Sequence, residues 1–231
     1  MRRLALVVVL AACSDVDPRW QLDHDRIIAV RATPPHLPAG ATSTIDGFLA
    51  HSDGAPTDVE APLGVIIAFP FPGVADPVYS AGAWTITAPS QDVIDAARAQ
   101  LMLPAGSPVP LTLGVEFAPS NGITLNAIKT IYLGDAADNP ELGPITIAGS
   151  AVGPATDSLT VPPDTDEALE IFADQADQVY WLTSCGTMHD DDEHDAFLHV
   201  LPTDPQDGQL AIVLRDAQGG VVWRVWQIAA M

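Results

Sequence analysis

Lysine is almost missing from this chain. One, Lys129, stands in 231 residues, and with the arginines it makes 9 basic groups against 30 acidic ones, a formal charge of −21. A surface of that sign repels phosphate backbones and anionic headgroups, which excludes nucleic acid as a partner and leaves membrane attachment to something other than basic residues. Cysteine is nearly as scarce: Cys13 and Cys185 are the two in the chain, too few for a disulfide framework. The G-x-S-x-G of serine hydrolases, the glycine loops that cradle phosphates, C-x-x-C and H-E-x-x-H are all absent. The expectation is a protein that is not an enzyme and carries no cofactor.

What is present begins at the N-terminus. Arg2 and Arg3 precede an apolar stretch from Leu4 to Leu10, then Ala11, Ala12 and Cys13. The stretch falls far short of the roughly 20 residues a spanning helix needs and has the layout of an export signal. Leu10-Ala11-Ala12-Cys13 resembles the lipobox of bacterial lipoproteins. The resemblance implies that residues 1–12 are removed, that Cys13 is acylated, and that 13–25 form a lipidated tether. Ser14 follows the cysteine and Asp15 comes only after it, so the outer membrane is the expected location. With Cys13 consumed by lipid, Cys185 is left without a partner; a Cys13–Cys185 bridge is the alternative.

From Arg26 the chain breaks into short β-branched segments divided by proline, glycine and aspartate, the spacing of an all-β sandwich or barrel. "RIIAVRAT", "ATSTIDGFLA", "GVIIAFPF", "PVPLTLGVEF" and "ITLNAIKTIYLG" read as strands, with "GVIIAFPF" apolar enough to be covered on both sides. One short helix interrupts them: Ser90 is placed to cap it, and Val93, Ile94, Ala97 and Leu101 fall at helical spacing. Breakers from Asp138 to Pro144 mark a boundary, giving modules at 26–138 and 139–231. In the second module two apolar runs flank Asp216 to Gly220 as a hairpin. Trp223 and Trp226 fall on opposite faces of its last strand, so both faces should meet something apolar.

"RIIAVRATPPHLPAGATSTIDGFLA", "NPELGPITIAG", "VYWLTSCGTM" and "LRDAQGGVVWRVWQI" together resemble surface lipoproteins numerous in myxobacteria. The resemblance spans roughly Cys13 to Ile228 and implies two tandem immunoglobulin-like β-sandwich modules behind a lipoprotein signal peptide. Its motifs are strand, turn and core positions, and they bring no chemistry.

One segment has side chains that could do chemistry. "CGTMHDDDEHD", Cys185 to Asp195, gathers a thiol, two imidazoles and five carboxylates in eleven residues. His189, Asp190, Asp192, His194 and Asp195 are the candidate ligands, for calcium through oxygen or zinc through nitrogen. The alternating D-x-D-x-D-G ligand pattern is missing, and a solvated acidic loop between "QVYWLTS" and "AFLHVLP" is the plainer reading. Cys185 shares a strand face with Trp181 and reads as a core thiol; His24, His36 and His51 read as surface residues. The function expected is a lipid-anchored envelope protein presenting non-catalytic binding or spacer modules to an envelope or extracellular protein partner. A metal-binding surface protein and an envelope assembly subunit are the alternatives.

Overall fold

The computed structural model describes residues 18–52, 59–70, 74–118, 122–174 and 177–231. The expected signal peptide at 1–12 and the acylated Cys13 lie outside them. No helix among the described residues is long and apolar enough to cross a membrane.

The first half supplies β1 (Arg26–Thr33), β2 (His36–Leu37), β3 (Thr42–Ala50), β4 (Val59–Glu60), β5 (Gly64–Phe69), β6 (Pro77–Ser80), β7 (Ala83–Thr87), α1 (Gln91–Gln100), β8 (Val109–Phe117) and β9 (Leu125–Leu133). They form two sheets, β1-β3-β7-β6 with β4 beside β3, and β2-β9-β8-β5. The second half supplies β10 (Ile145–Ile147), β11 (Ser150–Ala151), β12 (Ser158–Val161), β13 (Asp166–Ile171), β14 (Gln178–Thr183), β15 (Thr187–His189), β16 (Asp195–His199), β17 (Asp207–Arg215) and β18 (Val221–Ala230). Its sheets run β11-β10-β13-β16-β15 and β12-β18-β17-β14.

Without the short β4 and β11, the two halves have one strand order. The first, third, sixth and fifth strands make one sheet; the second, eighth, seventh and fourth make the other. In both, the second strand pairs in parallel with the last, β2 with β9 and β12 with β18. Apart from that second strand, this is the division of strands in a constant-type immunoglobulin sandwich. The chain is therefore all-β, with two tandem immunoglobulin-like modules and one short helix.

Period-two burial builds each core. Val109, Leu111, Leu113, Val115 and Phe117 of β8 point into the first sandwich, while Leu210, Ile212 and Leu214 of β17 point into the second. Trp181 on β14 is fully buried at the place where immunoglobulin domains keep a core tryptophan. Ile94 and Ala97 seat α1 on the first core; Ser90 occupies its N-cap position without a side-chain cap bond. Strand β5 departs from the expected two-sided cover. Ile66 is 66% exposed, because it lies over Gly114 on the outer face of its sheet, which no other described strand covers.

The expected tether behaves differently from Pro18 onward. Leu22 donates its N–H to the Thr183 carbonyl at 2.9 Å, and Thr183 donates to the Trp20 carbonyl at 2.8 Å. Leu22 is buried and Trp20 packs against the second core. Two apolar side chains, the backbone bonds to Thr183 and the Arg19 ion pairs with Asp191 and Asp192 hold this stretch on the edge of β14, so residues 18–22 are not free reach.

Candidate functional site

The acidic segment does not form one loop between two neighbouring strands, as its sequence suggested. Strand β14 pairs with β17 in one sheet, and the chain then crosses to β15 and β16 in the other. Cys185 is buried at the crossing, and burial pushes its thiol up from the ordinary value, which makes it a poor nucleophile. His189 ends β15 exposed, and Asp190 turns the chain in the left-handed region at φ 56°. Asp191 and Asp192 both turn to Arg19, at 2.7 Å each, and hold that guanidinium above its ordinary pKa. His194 Nε2 lies 3.2 Å from the Asp174 carbonyl, and Asp195 is paired in β16 opposite Glu170. The five candidate ligands are thus spread over a strand end, a turn and a second strand. Among the described residues, no group of three or more His, Cys, Asp or Glu side chains is placed to hold a metal ion.

The polar chemistry gathers elsewhere, where the modules meet. The faces of β1 and β3 turned away from the first core carry Ala29, Phe48 and Ala50; those of β14, β17 and β18 carry Leu182, Ala211, Val213 and Val221. Together with Leu22 they form a third buried cluster, shared by both modules. Trp223 packs against it, stacked on Phe48 at 5.5 Å and 11°, with the Arg31 guanidinium 4.1 Å from its ring. Arg31 is itself held by both oxygens of Asp46, at 3.1 and 2.7 Å. Trp226, three residues on and therefore on the opposite face, is fully buried in the second core, so both faces of the last strand do meet apolar neighbours.

Hydrogen bonds rim this apolar centre. Asn139, between the modules, donates to the Ala32 carbonyl at 2.8 Å and accepts from the Val221 N–H at 2.9 Å. Arg215 donates to the Ile28 carbonyl at 2.7 Å. His36 is buried, against expectation, because its ring lies between the modules, with Asp135 Oδ1 at 2.9 Å from Nδ1 and the Gln218 carbonyl at 2.8 Å from Nε2. His51 is also buried, packed at 2.5 Å against Glu60. Neither histidine carries a sequence cue to its burial; position beside apolar strands decided it.

Lys129 closes the rim. It sits on β9, is 8% exposed, and donates to the Gly219 carbonyl at 2.5 Å. Burial lowers its pKa from 10.5 to about 8; the nearby Arg215 adds to the fall, and Asp216 and Asp46 offset part of it. Beside it opens a cleft of about 520 Å³, lined by Ile28, Ala127, Lys129, Arg215 and Asp216 among others.

No known family model matches the sequence, and no curated protein matches it. Several solved structures are similar to the chain over most of its length. The tandem Ig repeats of Dlar align over 90% of this chain and 97% of theirs, at 11% identity and a TM-score of 0.28. Murine CEACAM1b aligns over 89% and 100%, at 8% identity and 0.28. The N-terminal Ig1-2 module of the Drosophila receptor protein tyrosine phosphatase DLAR aligns over 90% and 98%, at 10% and 0.28. Scores this low carry no argument, and the description of the fold rests on the strand order alone.

Proposed function

We propose that the chain is a lipid-anchored envelope protein whose two sandwich modules work as one rigid, non-catalytic arm. The observation that supports this is the junction. Intra-chain domain contacts leave relative motion as the default unless the interface is large and hydrophobic. Here an apolar cluster runs through the seam, Trp223 of the second module meets Phe48 and Arg31 of the first, and Asn139, His36, Lys129 and Arg215 bond across its edge. The N-terminal segment at 18–22 adds a further tie, since it reaches the second module before the chain enters the first. A hinge would need those groups to exchange their partners for water together. Such a body holds a binding surface at a fixed distance and angle from its anchor, which is what a spacer or presenting module requires. Cys13 would be the point of attachment, and the high negative charge would keep the arm soluble and off anionic lipid.

Small-angle scattering of the full chain tests rigidity: one compact two-module envelope, unchanged with salt, is expected, and an ensemble of swinging modules would overturn it. Metabolic labelling with palmitate tests the anchor. Label is expected on the natural chain and lost in Cys13→Ser, and equal label in both would remove the anchor from the proposal.

A further inference from the structure

The cleft at the junction brings two cations onto one wall, and among the described residues neither pairs with a carboxylate. Elsewhere the described cations meet carboxylates or backbone carbonyls: Arg19 meets Asp191 and Asp192, Arg31 meets Asp46, Arg98 meets Asp95, and Arg224 meets the carbonyls of Gly153, Pro154 and Thr156. Lys129 and Arg215 line one cleft, and among the described residues neither is in an ion pair. One donor of the Lys129 ammonium is used, on Gly219, while a Lys ammonium has three. The guanidinium of Arg215 rests over Tyr180, 5.3 Å from its ring, and bonds the Ile28 carbonyl.

Of the acids close by, Asp216 and Asp46 are engaged, and Asp177 lies near enough to Asp216 for the two charges to repel. Asp216 Oδ1 accepts the N–H groups of Gln218 at 2.8 Å and Gly220 at 2.7 Å, closing its own turn. Asp46 is held by Arg31. Lys129, Arg215 and Asp216 on the cleft wall therefore leave one net positive charge, in a chain whose formal charge is −21. The remaining wall is mixed, with apolar Ile27, Ile28, Val30, Ala127 and Val221 beside polar Asn126, Thr130 and Gln178. A volume of about 520 Å³ lies within the range of small-molecule sites.

We infer that this cleft binds a small organic monocarboxylate, its carboxylate between Lys129 and Arg215 and its aliphatic body on the apolar part of the wall. A polyanion is disfavoured by the surrounding negative field, and a neutral ligand would leave the two cations unanswered. A carboxylate supplies the counter-charge the wall lacks and accepts the unused Lys129 donors. The inference rests on the rigid-arm reading, since both modules contribute to the wall.

The chain's one lysine makes the test direct. The full chain labelled with ¹³C-lysine gives a single Cε resonance, whose titration reports Lys129 alone. The probe is 4-methylpentanoate at about 10 mM, with the uncharged 4-methylpentanamide as control. The carboxylate is expected to move the Lys129 midpoint up by about one pH unit, a tenfold coupling, and the amide to leave it in place. In calorimetry Lys129→Met is expected to lose at least tenfold in affinity for the same probe. An unmoved midpoint, or an equal response to the amide, overturns the inference. Scattering on the same sample separates the two readings. If the modules are docked and the midpoint is unmoved, the cleft assignment alone fails; if they swing apart, the arm reading fails and takes the cleft with it.

Discussion

Replacing Phe48 by alanine isolates the energy of the seam. Phe48 is fully buried, yet its strand neighbours Gly47 and Leu49 face the first core, so its own ring meets the second module through Trp223. Truncating a fully buried phenylalanine costs about 3–5 kcal/mol, the lost transfer of the ring plus the cavity it leaves. Loss of the stacked partner belongs to that range and adds roughly 0.5–1.5 kcal/mol of it. Because the partners lie across the junction, the loss falls on coupling between modules more than on either core. Urea unfolding followed by tryptophan fluorescence reads this out. The natural chain is expected to unfold in one transition, whereas Phe48→Ala is expected to lose about 3–4 kcal/mol and to separate into two steps as the modules uncouple. A single transition within about 0.5 kcal/mol of the natural chain would refute the reasoning, since it would mean that the seam contributes almost nothing to stability.

Two further outcomes follow from particular atoms. Lys129 has a folded pKa near 8 against 10.5 when exposed, so between those values the unfolded chain keeps a proton that the folded chain has lost, and stability rises with pH across that window. Below it the buried charge costs about 3 kcal/mol; Lys129→Met is expected to be more stable at pH 7 by about 1–3 kcal/mol and to flatten the rise between pH 8 and 10.5, checked by urea midpoints at each pH. Gly143 has no room for a side chain, because a Cβ there would lie 1.8 Å from the Phe172 carbonyl oxygen; Gly143→Ala is expected to lower the melting temperature by several degrees, while Gly40→Ala, with open space but φ of 77°, is expected to cost only about 1 kcal/mol.

The strands and the hairpin of β17 and β18 were legible because period-two burial writes itself into sequence. Trp223 and Trp226 even announced two apolar faces, since a strand with one wet face has no use for both. What covered the outer face was not legible. Ala29, Phe48, Ala211 and Val213 lie far apart in the chain, and nothing local distinguishes a face covered by a neighbouring module from one that is bare: Ile66 in "GVIIAF" reads like Ile45 in "TSTIDGF", yet one is exposed and the other buried. The acidic segment misled for the opposite reason. Its composition suggests a site, but ligation depends on where side chains converge, and Arg19 takes two of the carboxylates. Trp20 and Leu22 were the available signal that the preceding stretch is docked, and the polar residues around them masked it.

The repeated strand order sharpens this point. Strands β3 and β13 hold the same place in their sandwiches, but the outer face of β3 carries Asp46, Phe48 and Ala50, and that of β13 carries Asp166, Ala168 and Glu170. Where the aromatic stands, the other module docks; Asp166 is exposed and pairs with His199 at 2.6 Å. The same contrast holds for the opposite sheets, since β17 turns Ala211 and Val213 to the seam while β8 turns Thr112, Gly114 and Glu116 outward. Two copies of one fold therefore meet through unlike faces, and this has a consequence for charge. A junction between unlike faces brings a residue of one module beside a residue the other supplies only once, so Lys129 on β9 meets Arg215 on β17 and the repeat provides no second such pair. The cleft with its net positive wall is a property of the junction, and neither module alone would contain it.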